Sequence, residues 1–217
     1  ALELDESLAE AHMVLGWIGF LYDWDWKAAE RELLRAIELS PNNSDAHRAY
    51  AHFLSNSQRH DEAIAEGKRA RELAPLTLIT AALEGQFLFY AGRDSEAIER
   101  LKQTLELDPD YWVAHNALGR VYLRQGRNAD AISELRRAAE LAGNSSEPIM
   151  QLGYGLASLG DLAGAQTAIR QMESLSKVNN VPAYNFAMIY NGLGETDKAI
   201  DHLEESIKKH EIQLAFI

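Results

Sequence analysis

A chain of 217 residues with 33 acidic and 21 basic side chains carries a formal net charge of −12 and no cysteine. That balance disfavours wrapping nucleic acid or lying on an anionic membrane, both of which reward clustered Lys and Arg. It also removes disulfides and Cys-type zinc sites, and no apolar run approaches a membrane span.

Read in chain order, residues 1–8 look like the end of a helix. Ala1-Leu2-Glu3-Leu4-Asp5-Glu6 matches Ala36-Ile37-Glu38-Leu39-Ser40-Pro41 and Thr104-Leu105-Glu106-Leu107-Asp108-Pro109. The expectation is a piece excised from a longer protein, its first full helix left without its usual neighbour. From there a period of 34 residues takes over. Pro41, Pro75 and Pro109 keep it, as do Ala63, Ala97, Ala131, Ala165 and Ala199, the glycines 85, 119 and 153, and the glycines 92, 126, 160 and 194. Such a period means one supersecondary unit stacked on copies of itself. The units fall at about 9–43, 44–77, 78–111, 112–145, 146–179 and 180–213, the first being one residue longer.

Each unit reads as two helices, A and B. In the fourth, Ala114 to Gln125 forms helix A, Gly126 ends it and Ala129 to Leu141 forms helix B. Leu118, Val121 and Tyr122, then Ile132, Leu135, Ala138 and Ala139, recur at spacings of three and four, as one buried face requires. Glycine in the turn suits a left-handed residue after a helix end. Ser146 before Pro148 and Asn180 before Pro182 read as polar caps followed by proline in the first turn. Gly16, Ala51, Gly85, Gly119, Gly153 and Ala187 share one phase, and Ala29 shares another with the alanine series. These small residues mark where the two helices of a pair approach closely.

The chain therefore resembles tetratricopeptide repeats over nearly its whole length. The fourth unit matches best, with His115, Leu118, Gly119, Tyr122, Gly126, Ala131, Leu135 and Ala138 at the family's signature places. The resemblance implies an all-α fold, a right-handed α-α superhelix of six helix-turn-helix repeats preceded by a partial repeat. A second resemblance rests on Asp23-Trp24-Asp25-Trp26 with Ala28-Ala29-Glu30-Arg31-Glu32-Leu33, and on Val181-Pro182-Ala183-Tyr184 with Ala187 and Gly192-Leu193-Gly194. These segments are similar to C-terminal repeat arrays of bacterial multidomain regulators, where the array follows a winged-helix, nucleotide-cyclase or protein-kinase domain. It suggests company, not activity.

Catalysis finds no foothold. His12, His47 and His115 take the place of a packing residue, once per unit, and no histidine pair has ligand spacing with a carboxylate, so no metal and no cofactor are expected. Carboxylate pairs such as Glu204 with Glu205, Asp61 with Glu62, and Asp108 with Asp110 read as solvated surface. What remains is a groove lined by the helices A. The inward positions carry Arg48, His52 and Asn56, then Gln86 and Tyr90, then Asn116, Arg120 and Arg124, and finally Tyr154, Tyr184 and Met188, with Trp17, Phe20, Phe89, Met150 and Asn191 among them. Amides pair with an extended peptide backbone, arginine with carboxylates and aromatics with apolar side chains. The family's clamp for a C-terminal carboxylate is not matched, since Leu83, Val113 and Ala117 stand at three of its places. Trp24 and Trp26 sit in the lengthened first turn, either as a hydrophobic clip or as interface anchors.

The expected role is a non-catalytic scaffold holding a protein or peptide segment, the docking or sensing part of a bacterial regulator. The alternative is a homo-oligomerisation module, a homodimer through apolar ends or Trp24 and Trp26. Cytoplasm is the default compartment, and the periplasm the alternative if the parent protein is membrane-anchored.

Overall fold

The computed structural model describes residues 7–216; the helix end expected at residues 1–6 lies outside the described residues. Among the described residues every regular element is helical. Twelve α-helices follow in order: α1 (Ala9–Leu21), α2 (Trp26–Leu39), α3 (Ser44–Asn56), α4 (His60–Leu73), α5 (Leu78–Tyr90), α6 (Asp94–Leu107), α7 (Trp112–Arg124), α8 (Asn128–Leu141), α9 (Ser146–Ser158), α10 (Leu162–Leu175), α11 (Ala183–Gly192) and α12 (Thr196–Lys208). A short 3₁₀ turn covers Ile212–Phe216.

Successive helices pair as antiparallel hairpins whose turns carry one left-handed residue each. Trp24, Gln58, Gly92, Gly126, Gly160 and Gly194 have φ of 55°, 61°, 77°, 70°, 83° and 74°. Four of the six are glycine because a side chain in that region meets its own backbone. Where Asp25, Asn43 and Asp161 precede a helix, their side chains accept hydrogen bonds from backbone N–H groups of its first turn.

Some expected boundaries shift. Helix α7 starts at Trp112, two residues before the expected Ala114, because the Tyr111 carbonyl already accepts from Ala114 N and His115 N. Helix α11 starts at Ala183 with Pro182 in the cap position, not at an Asn180 cap. Its first N–H groups go elsewhere. The Glu211 carboxylate, beyond the end of α12, accepts from Ala183 N at 2.9 Å, Tyr184 N at 3.1 Å and Ser206 Oγ at 2.7 Å. A carboxylate at a helix N-terminus also opposes the positive end of the helix dipole. Helix α9 likewise starts at Ser146 with Ser145 in the cap position, and Ser146 Oγ accepts from Asn185 Nδ2 at 2.9 Å.

The chain divides into two compact units, and the division falls inside α6 between Arg100 and Leu101. In the first unit Phe20, Leu33, Phe53, Leu54 and Phe87 form a continuous apolar core with Ala29, Ala49, Ala51 and Ala63. Apolar burial of this kind is the main favourable contribution to such a fold. In the second, Met150, Ile169, Met172 and Ile189 form one cluster with Ala165 and Ala168. Leu118, Val121 and Leu135 are fully buried beside Leu101 and Thr104 in the same unit.

The small residues earn their positions through geometry. A Cβ added at Gly119 would lie 2.5 Å from Leu135 Cγ and 3.2 Å from the Ala131 carbonyl oxygen. Gly16 repeats that arrangement against Leu33 and Ala29. Gly153 differs, meeting both Ala168 of its own hairpin and Ile189 of α11.

Candidate functional site

In the first unit, α1, α3 and α5 meet through a run of rings. The centroid of His52 lies 5.7 Å from Trp17 and 5.4 Å from Phe87, the latter edge-on. Burial pushes the His52 pKa down to about 4, and the Arg48 charge adds to the effect. The ring is therefore neutral near pH 7. Arg48 holds Asp45 at 2.9 Å, Asn56 donates to the His52 carbonyl at 2.8 Å, and Gln86 donates to Tyr90 Oη at 3.1 Å. These polar groups are thus committed within their own helices, while Trp17, Phe89 and Tyr90 keep part of their aromatic surface exposed.

In the second unit the same face runs along α7, α9 and α11. Asn116 is buried, and its Nδ2 reaches Glu147 Oε1 at a long 3.4 Å while its Oδ1 meets no donor. Glu147, in the first turn of α9, is exposed at one edge yet crowded by protein. Desolvation raises its carboxyl above the usual range, with the Arg120 charge pulling the other way. Arg120 is half-buried and Arg124 exposed. Tyr184 and Met188 pack partly against the core of the unit, and Tyr154 flanks Gly192, whose added Cβ would meet the ring at 3.1 Å. Glu147 takes the second place of its unit, an inward position that sequence reasoning passed over, and only the packing of α9 beside α7 brings it to Asn116.

The two tryptophans separate. Trp26 packs edge-on against Phe20 at 5.1 Å and lies 5.7 Å from Phe53, so its ring is partly buried against the core. Trp24 is exposed and occupies the left-handed turn position.

The histidines that recur once per unit are more than packing residues. His12, His47 and His115 meet Glu32, Glu66 and Glu134 at 2.7, 2.5 and 2.6 Å. A signal for this was present, since the three glutamates share one phase of the repeat. Glu84 stands at the repeat position where Leu118 is buried in the next unit, and it is held by Arg71 Nε at 2.6 Å and Arg100 Nε at 3.2 Å. Among the described residues no three His, Asp or Glu side chains are grouped to hold a metal ion, and no helix is long and apolar enough to cross a membrane.

Three family models, each described as a tetratricopeptide repeat, match residues 32–65, 83–146 and 183–208, together more than half of the chain. No curated protein sequence matches. Among solved structures, the PilF protein of Pseudomonas aeruginosa is similar at TM-score 0.61 and 20% identity, covering 98% of this chain and 96% of its own. PilW, described as a widely conserved type IV pilus biogenesis factor, is similar at TM-score 0.66 and 19% identity, with 91% of each chain covered. Cut9 in its complex with Hcn1 is similar at TM-score 0.70 and 22% identity, over 95% of this chain and 41% of the other. At such identities the likeness speaks for the fold alone. Matched helical hairpins, the 34-residue phase and the three family models converge, and the chain belongs to the tetratricopeptide repeat family.

Proposed function

We propose that the chain is a non-catalytic scaffold that holds an extended segment of a partner protein along the exposed face of its helices A. The observation that carries this reading is the make-up of that face in the second unit. Arg120, Tyr154, Tyr184 and Met188 stand on three successive helices A and are all partly exposed, offering charge, aromatic surface and soft apolar surface to a peptide. The Cut9–Hcn1 structure, a hetero-tetramer, supports the same kind of role for a chain of this fold. The resemblance carried by Asp23–Trp26 and Val181–Gly194 supports reading it as the docking or sensing part of a bacterial regulatory protein.

The test starts from peptides selected from a random displayed library on the intact chain. Each is titrated calorimetrically against the chain and against the double variant Arg120→Ala, Tyr154→Ala. Binding should weaken by more than about tenfold, roughly 1.4 kcal/mol. Selected peptides that bind both proteins equally well would remove the groove as their site.

A second reading, self-association, is favoured by one feature of α1. Leu15 and Ile18 are 42% and 44% exposed, whereas Tyr50 and Phe53 at the same repeat positions in α3 are 6% and 3% exposed. Val14 and Tyr22 extend this apolar stripe. Sedimentation across a concentration range decides it, a monomer throughout counting against it.

A further inference from the structure

We infer that His115 is a proton-held tie fastening the hairpin of α7 and α8 to the turn before it, and that the tie loosens when rising pH takes the proton away. The ring's Nδ1 lies 2.6 Å from Glu134 Oε2 on α8, and its Nε2 lies 2.9 Å from the carbonyl oxygen of Pro109. Both neighbours are acceptors, because an ionised carboxylate and a backbone carbonyl have no proton to give. A neutral imidazole carries one N–H, so it satisfies one oxygen and turns a lone pair on the other. An imidazolium satisfies both. The ring thereby joins three pieces of chain: the turn at Pro109, helix α7 and helix α8.

The surrounding charges act consistently with this. Glu134 contributes most to holding the ring's pKa above the ordinary histidine value, and the Pro109 carbonyl adds to it, against the opposing effect of desolvation. Arg137 on α8 opposes the charged ring, but its guanidinium turns to Asp110 at 2.5 Å and Glu140 at 3.6 Å. The geometry also recurs. His47 meets Glu66 at 2.5 Å and the Pro41 carbonyl at 2.9 Å, and Arg69 donates to Asn42 where Arg137 meets Asp110. Nothing in the repeat demands it, since Ala81 and Ile149 occupy the same position in other hairpins.

A folded pKa above the unfolded value means that the tie contributes fully below about pH 6.5 and is lost as pH rises through the folded pKa. Because Asn116 and Arg120 follow on the same helix, the tie also sets the seat of the candidate binding face.

Heteronuclear NMR of the imidazole nitrogens in the intact wild-type chain tests this between about pH 6 and pH 9. At the acid end both ring nitrogens of His115 should carry protons, and the titration midpoint should lie above the ordinary histidine value. Glu134→Gln should lower that midpoint, and it should flatten the fall of melting temperature across the range. One unprotonated ring nitrogen at the acid end, or a wild-type midpoint at or below the ordinary value, would overturn the tie. The wild-type measurement decides the matter even where the variant fails to fold.

Discussion

Replacing Gly119 with leucine tests the close approach of α7 and α8 directly. The new Cβ would stand 2.5 Å from Leu135 Cγ and 2.7 Å from its Cδ2, against an ordinary carbon contact of about 3.5–4.0 Å. Leu135 is fully buried and has nowhere to swing. Moving it aside also leaves the Ala131 carbonyl oxygen at 3.2 Å, which only a shift of the whole helix relieves. Overpacking of this kind costs about 1–3 kcal/mol, and removing a mid-helix glycine returns somewhat under about 1 kcal/mol. A net loss of about 0.3–2 kcal/mol follows, or roughly 1–8 °C in melting temperature for a chain of this size. Far-UV circular dichroism on heating measures it. In a Leu135→Ala background the space is vacated, so the same substitution should cost less than half as much. An unchanged melting temperature for Gly119→Leu, or equal losses in the two backgrounds, would refute the close-approach explanation.

Other perturbations address separate features. Gln58 sits at φ 61° in a turn position that glycine holds in four other hairpins, so Gln58→Gly should raise stability. The relieved left-handed strain outweighs the added unfolded-state entropy, by a few tenths to about 1 kcal/mol in chemical denaturation. Glu84→Ala leaves Arg71 and Arg100 facing each other without their shared carboxylate. Because both arginines are partly exposed, the expected loss is about 1–3 kcal/mol, below that of a fully buried pair, and added salt should reduce it. His52 has a folded pKa of about 4, lower than its unfolded value. Below about pH 6.5 the unfolded chain therefore takes up a proton that the folded ring refuses, and stability falls until about pH 4. In His52→Phe, which keeps the ring contacts with Trp17 and Phe87, that part of the acid limb should flatten, and melting curves at stepped pH read it out.

The helical hairpins, their turn glycines and the small residues at the packing positions were legible in the amino-acid order, because each depends on local backbone preference or on one residue type recurring every 34 positions. The candidate face was legible only as a set of positions. Which of its polar groups are already bonded to neighbours, as with Arg48 to Asp45 and Asn56 to the His52 carbonyl, depends on rotamers that spacing does not reveal. Trp26 turned inward because it opens α2 and its ring meets Phe20 and Phe53, whereas Trp24 stands in the left-handed turn before that helix.

What the sequence by itself determined is the period, the hairpin and the family, all consequences of local geometry repeated along the chain. Only the tertiary structure decided the partners of the charged and titratable groups. His115 finds Glu134 19 residues away, Glu84 finds Arg71 at 13, and the Glu211 carboxylate caps Ala183 at 28. Those separations reflect helix packing. A charge finds its counter-charge through the space between helices, and that space exists only once the apolar faces have closed.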